Sequence, residues 1–305
     1  MNVDLLLRLE GVTHRHLVPD PEHRLRRRAG PGIHEVGLDL HRGELLGLVG
    51  RNGSGKTTLL RTLAGVLEIQ DGVVLDGDGA ALNAAQRRQR VGHMPEQVRW
   101  QGRATPRSTL MELAVMDGGR LDLIDGVMRL VGIHERSEDM LDSLSQGMRQ
   151  RLTLATAMLP SPDVLLLDEP YNGLDPSAAR SLTRVLQRLA QRGVTVVVSS
   201  HHLGHLSGLV DRLVLLERGR IVAEGSAESL ADTIGLDRPW VTVVEGQRPS
   251  EDAVALGDGL WEMTGPRLDA DLLTSIGTAE VLSHGRRDID LADLLDAVVA
   301  RGEEE

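Results

Sequence analysis

The stretch Gly50-Arg51-Asn52-Gly53-Ser54-Gly55-Lys56-Thr57 constrains this chain more than any other. An unbroken apolar run (Leu45, Leu46, Leu48, Val49) leads into it, and helically spaced Leu59, Leu60 and Leu63 lead out. The pattern predicts a buried strand, a glycine-rich turn and a helix. In such a turn the glycines let successive backbone N–H groups point at one anion, and the helix N-terminus behind them adds about half a positive charge. Lys56 brings a compact ammonium for the outer phosphates of a nucleotide, and the Thr57 hydroxyl, with Thr58 beside it, brings a ligand for magnesium. Among 34 lysines and arginines, Lys56 is the only lysine. It stands where a flexible point charge is wanted and a planar guanidinium is not.

A chain of 305 residues, 41% hydrophobic, is long enough for one large domain and a smaller one. Its formal net charge of -11 argues against nucleic-acid binding driven by electrostatics, and the absence of Phe with a single Tyr removes the stacking platforms that single strands need. There is no cysteine, which excludes disulfides and thiolate metal sites and fits a reducing compartment. No apolar run approaches the ~18 residues of a spanning helix, and Met1 to Glu10 does not read as a signal peptide, so the chain is expected not to cross a membrane.

Leu5 to Glu10 reads as a first strand. The segment from His14 to Gly32, with Pro19, Pro21, Pro31 and the run Arg24, Arg26, Arg27, Arg28, reads as an irregular solvated loop. Ile33 to Leu40 alternates like a half-buried strand, and Val73 to Leu75 reads as a short one. Ala80 to Arg90 has helical spacing. Helical patterns then run from Ser108 to Leu159, with Gly132 as a stop, and place a helical subdomain at about 97–160 inside an α/β core. Val164 to Leu167 is a continuous apolar strand ending in Asp168-Glu169-Pro170, the pattern of a strand covered on both faces. Pro176 opens a helix to Arg192. A second buried strand, Val194 to Val198, ends in Ser199-Ser200-His201, and strands at Leu213 to Leu216 and Ile221 to Ala223 close as a hairpin. From about Ser226 weaker strands at Trp240 to Val244, Leu260 to Met263 and Glu280 to Leu282, with an amphipathic stretch at Asp290 to Ala300, read as a small α+β appendage.

The discriminating stretch is Leu144-Ser145-Gln146-Gly147-Met148-Arg149-Gln150, shortly before Asp168-Glu169. It resembles the signature sequence of ABC-type ATPases, usually Leu-Ser-Gly-Gly-Gln. The resemblance covers roughly Leu5 to Gly225 with the motifs in the family's order: Gly50 to Thr57 as Walker A, Val164 to Glu169 as Walker B, Gly173-Leu174-Asp175 as D-loop and His201 as switch histidine. Asn172 to Pro176 and Ser199 to His201 look like the branch that energises drug, antibiotic and lipid exporters.

The resemblance implies a P-loop NTPase core with a mixed sheet over residues 1–225 and an accessory domain over 226–305. It implies ATP and Mg2+ as cofactors, Asp168 as a metal ligand, Glu169 as the residue that orients the attacking water, and His201 as its partner at the γ-phosphate. Ser145, Gln146 and Gly147 would close over ATP bound to a second ATPase subunit, identical or closely related. Polytopic membrane subunits on separate chains would hold the pair at the cytoplasmic face of the membrane. Three departures stand out. His16 aligns where an aromatic ring usually stacks on adenine, Glu96 aligns with the usual magnesium-sensing Gln while Gln97 follows one residue late, and Gln146 and Met148 replace Gly and Gln in the signature. A soluble ABC-type ATPase acting on ribosomes or DNA is the alternative, which the acidic balance and the single motif set disfavour.

Overall fold

The computed structural model describes residues 4–20, 27–116, 120–202, 206, 208–226 and 229–230, together with strands at 239–243, 254–257, 260–262 and 281–286. The chain divides into two compact units, Met1–Glu224 and Gly225–Glu305.

In the first unit, β1 (Leu5–Pro19) and β2 (Arg27–His41) form a long antiparallel pair, and β4 (Asp71–Asp76) adds on the other side of β1. A second sheet has the order β5-β6-β7-β3-β8-β9, with β5 (Val91–Met94), β6 (Val164–Leu167), β7 (Thr195–Ser200), β3 (Leu45–Val49) and β8 (Arg212–Glu217) all parallel. β9 (Arg220–Gly225) follows β8 through the turn at Arg218 and Gly219. Every residue of β3, β6 and β7 is buried, as expected for strands covered on both faces. One core joins the two sheets: Leu7, Leu9, Ile33 and Leu40 of β1 and β2 belong to the same apolar cluster as Leu59, Leu60 and Leu63 of helix α1 (Lys56–Leu63) and Leu46 and Leu48 of β3. Without phenylalanine, that cluster is built almost wholly of aliphatic side chains.

The segment read as an irregular loop from His14 to Gly32 is strand over residues 14–19 and 27–32. Pro19 and Pro31 occupy places a sheet allows them, and Pro21 lies outside the described residues. Pro19 pairs with Arg27 in the last rung of the ladder, and Pro31 lies in a register shift where His16 faces two residues of β2, between the pairs Arg15↔Gly32 and Leu17↔Ala29. A shift between Leu9 and Val12 leaves Gly11 at φ 62°, and another between Val12 and His14 leaves Glu35 at φ 50°, its N–H held by the Thr13 hydroxyl at 2.9 Å.

Helix α2 (Ala84–Arg90) begins at a capping box made by Asn83 and Gln86. Between β5 and β6 lie α3 (Pro106–Met116), α4 (Ile124–Val131) and α5 (Gln146–Met158). Gly132 ends α4 in the left-handed conformation, φ 75°. Arg151 of α5 then donates to the Val131 and Gly132 carbonyls at 3.0 and 3.1 Å, satisfying the end of α4, and reaches Ser181 of α6 (Pro176–Gln191) at 2.9 Å. Helix α6 starts where Asp175 accepts from the backbone of Ser177 and Ala178, with Pro176 as its first residue.

The second unit contains a four-stranded sheet of order β11-β12-β10-β13, formed by β10 (Pro239–Val243), β11 (Val254–Gly257), β12 (Leu260–Glu262) and β13 (Val281–Arg286), with antiparallel neighbours. β11 had no clear sequence signal. The amphipathic stretch at 290–300 lies outside the described residues.

Arg212 of β8 makes a fork-to-fork pair with Glu44, at 2.7 and 3.1 Å, and donates to the Asp39 carbonyl at 2.6 Å. Both side chains of the pair are largely out of water. Arg212→Ala is expected to cost about 3 kcal/mol in denaturant unfolding by stranding the Glu44 carboxylate. The double variant with Glu44→Ala should cost less than the sum of the two single changes; strict additivity would show that the pair is not coupled.

Candidate nucleotide site

β3 lies in the middle of the parallel sheet and delivers the chain into the turn at Gly50. A side chain at Gly50 would meet the Leu216 carbonyl at 2.3 Å, so only glycine fits there. Gly55 caps α1 at φ 110° and lies against β2, where an added Cβ would be 3.0 Å from the Gly32 carbonyl. The turn is thus pressed into shape from both sides.

Lys56 is the first residue of α1 and is buried. Its ammonium donates to the carbonyls of Gly50 and Arg51, at 2.7 and 3.3 Å, and stands 3.8 Å from Oε1 of Glu169. Burial pushes the Lys56 pKa below its ordinary value, with Glu169 and Asp168 pulling the other way.

The acids arrive from β6, two strands from β3 and separated from it by β7. Ser199 of β7 positions both: its hydroxyl donates to Oδ1 of Asp168 at 2.7 Å and accepts from the Glu169 backbone N–H at 2.9 Å. Oδ2 of Asp168 is buried and has no hydrogen-bond partner. Glu169 is held at φ 49°, in the left-handed region that non-glycine residues avoid, and such conformations concentrate at functional sites. One of its oxygens faces Lys56; the other lies 2.9 Å from Nδ1 of His201, a close approach whose angle falls short of a hydrogen bond.

Around these groups opens a cavity of about 380 Å³. Asn52, Gly53, Gly55, Lys56, Thr57 and Thr58 form one wall, and Asp168, Glu169, Asn172, Glu96 and His201 the other. His16, Pro31 and Gly32 of the β1–β2 pair close a third side. His16 is oriented by a 3.1 Å hydrogen bond between Nε2 and the Thr58 hydroxyl and by an edge-on contact with His14, ring centroids 5.0 Å apart. His14 is in turn fixed by the Glu68 carbonyl at 2.8 Å. Asn172 donates to Glu96 at 3.4 Å across the mouth.

Gly50, Arg51 and Ser54 belong to the turn but not to the cavity wall, and Gln97 is exposed and outside it. Ser145, Gln146 and Gly147 stand elsewhere, at the start of α5. There the Ser145 hydroxyl caps the helix by accepting from the Met148 N–H at 3.4 Å, and Ser145 and Gln146 are exposed. Ser199, Asn172, Pro31 and Gly32 stand in stretches named in the sequence, but nothing in the sequence pointed to a role in the site for any of the four. The one usable signal was for Ser199, a hydroxyl directly after the run Val196 to Val198 of a buried strand, where a buried polar group needs partners.

The residues present fit a magnesium nucleotide. A buried ammonium and a glycine-rich turn suit phosphate, while an unpartnered buried carboxylate oxygen of Asp168, in a cavity that Thr57 also lines, suits a hard divalent cation. Fold and site together define a P-loop nucleoside-triphosphatase cassette.

The ABC transporter family model matches residues 33–172. Over 227 residues the chain is 33% identical to the ABC transporter ATP-binding protein YhcH of Bacillus subtilis (strain 168), covering 73% of each chain. It is 36% identical over 224 residues to the Nod factor export ATP-binding protein I of Burkholderia orbicola (strain AU 1054), covering 72% of this chain and 71% of that one. A solved bacterial ABC transporter cassette, a dimer, superposes with a TM-score of 0.61 at 20% identity over 72% of this chain and 98% of its own, a likeness of fold. The chain belongs to the ABC transporter ATP-binding proteins, and its relatives include an export ATP-binding protein.

Lys56 loses its proton at lower pH in the folded chain than in the unfolded one. The unfolded chain therefore binds more protons at alkaline pH, and Lys56 makes stability rise with pH from its lowered pKa up to about the ordinary 10.5. The unfolding free energy of wild type minus that of Lys56→Met should climb through that window in denaturant titrations. A flat difference would contradict the buried ammonium.

Proposed function

We propose that this chain hydrolyses ATP as one of two subunits that close around two nucleotides and drive an exporter through separate polytopic membrane subunits. The observation that carries the hydrolytic reading is the Glu169 carboxylate, held between Lys56 and His201 in a strained backbone conformation at the rim of the cavity.

In this reading the turn N–H groups and Lys56 hold the β- and γ-phosphates. His16 supplies the surface against which the base lies. Thr57 and Asp168 would hold magnesium, with Glu96 or Gln97 next to it, and the ion when bound neutralises phosphate charge. Glu169 orients the attacking water and accepts its proton, and His201 keeps Glu169 and the γ-phosphate in register. Ser199 locks the acidic pair in place, so the carboxylates need little reorganisation as charge develops.

The signature helix supports the dimer. Its tip presents Ser145 and the following N–H groups to solvent, away from the cavity of its own chain, and such a tip suits the γ-phosphate of a nucleotide on the partner. Gln150 of the same helix donates to the Asn172 carbonyl at 3.2 Å, which couples the tip to the turn after Glu169.

Exposed Met111, Val115 and Met116 on α3, with Leu121 just beyond, form an apolar patch suited to a membrane subunit. Among the described residues no helix is long and apolar enough to cross a membrane, which is consistent with a spanning partner and a peripheral place at the cytoplasmic face.

Glu169→Gln should lower phosphate release from ATP by about 10²-fold or more while leaving ATP binding intact. With ATP the variant should run as a dimer in light scattering, and Ser145→Arg in the same background should return it to monomer. Undiminished turnover in Glu169→Gln would remove Glu169 from the chemistry, and a variant that stays monomeric with ATP bound would remove the shared-nucleotide dimer.

A further inference from the structure

A second cavity, of about 360 Å³, opens at the opposite ends of the same strands, where β6 and β7 begin. Val127 and Leu130 of α4, Met158 of α5, Leu165 of β6, Leu189 of α6 and Val194 supply most of its wall. Two features mark it as more than a packing gap. Gly126 lines it from α4 at an exposed position, and a Cβ added there meets nothing within 4 Å, so the cavity opens to solvent beside that helix. At its edge stands Arg192, the exposed residue that caps α6; among the described residues its guanidinium makes no ion pair or hydrogen bond, which leaves it to solvent.

The acids near it in sequence are committed elsewhere. Asp163 pairs with Arg90 at 2.9 Å, and Asp125 with Arg107 at 2.8 Å. An apolar slot with one free cation at its edge is complementary to a single class of molecule. It suits an apolar chain long enough to fill the slot and carrying one anionic head.

We propose that this cavity binds a free medium-chain carboxylate, its hydrocarbon tail between α4 and β6 and its head on Arg192. A small apolar molecule without charge would fill the slot but forgo the ion pair, leaving the exposed guanidinium to water. A diacyl phospholipid would exceed its volume. The site is independent of the nucleotide cavity, being formed by the starts of the strands whose ends carry Asp168 and Ser199.

The test is isothermal titration calorimetry of decanoate into the full chain, below the concentration at which decanoate forms micelles and without nucleotide. Saturable binding is expected. Decanol should bind about tenfold more weakly or worse, and Arg192→Gln should weaken decanoate by about the same factor without affecting decanol. Gly126→Leu, which places a side chain into open space on a helix, should abolish binding of both while leaving the thermal midpoint unchanged or higher. Absence of saturable binding to the wild type overturns the site, and so does decanoate binding that survives Gly126→Leu in a folded variant. Equal affinity for decanol and decanoate overturns the assignment of the head group to Arg192.

Discussion

The molecule depends on one buried ammonium. A positive charge out of water is costly, and here it is tolerated because two backbone carbonyls and a carboxylate surround it. Those carbonyls belong to the glycine-rich turn, so Lys56 holds the turn in its cradle shape while itself being held. The carboxylate belongs to the end of β6, so the same contact ties the turn to the acid-bearing strand across β7. Phosphate, arriving with the opposite charge, would replace a makeshift set of partners by a matching one.

The parallel sheet makes that convergence possible. β3, β6 and β7 run side by side in the same direction, and their carboxyl ends carry Gly50, Asp168 and Ser200 in turn. Ligands of open α/β sheets gather at that edge, beyond the strand ends. The antiparallel pair β1–β2 adds what the parallel sheet cannot, a lateral wall carrying His16 and Gly32. Because its bulges lie at Gly11 and Pro31, the pair bends around the turn instead of running past it.

What could be read in the sequence was what a short run of residues specifies by itself. The apolar run before Gly50, the buried strand before Asp168, the stop at Gly132 and the Asp175–Pro176 helix start are local signals, and the structure has each of them. The β1–β2 pair was misread because prolines and arginines look like loop when the partner strand is unknown; only the ladder shows that Pro19 is at its end and Pro31 in a bulge. The strand at 254–257, short and closed by a glycine, gave no periodicity to detect.

The candidate site divides in the same way. Lys56, Thr57, Asp168, Glu169 and His201 announce themselves by type and spacing. Ser199, thirty residues from the acids it holds, and Asn172, which meets Glu96 across the cavity mouth, act only through tertiary geometry.

A chain with one lysine has one side-chain amine, and here that amine is sealed in the turn with little access to solvent. Acylating reagents therefore have a single internal address, and it coincides with the phosphate cradle. Acylation there requires the turn to open, so opening of the turn is read as a change in the mass of one peptide, with the other lysine-or-arginine positions, all arginine, silent to the chemistry.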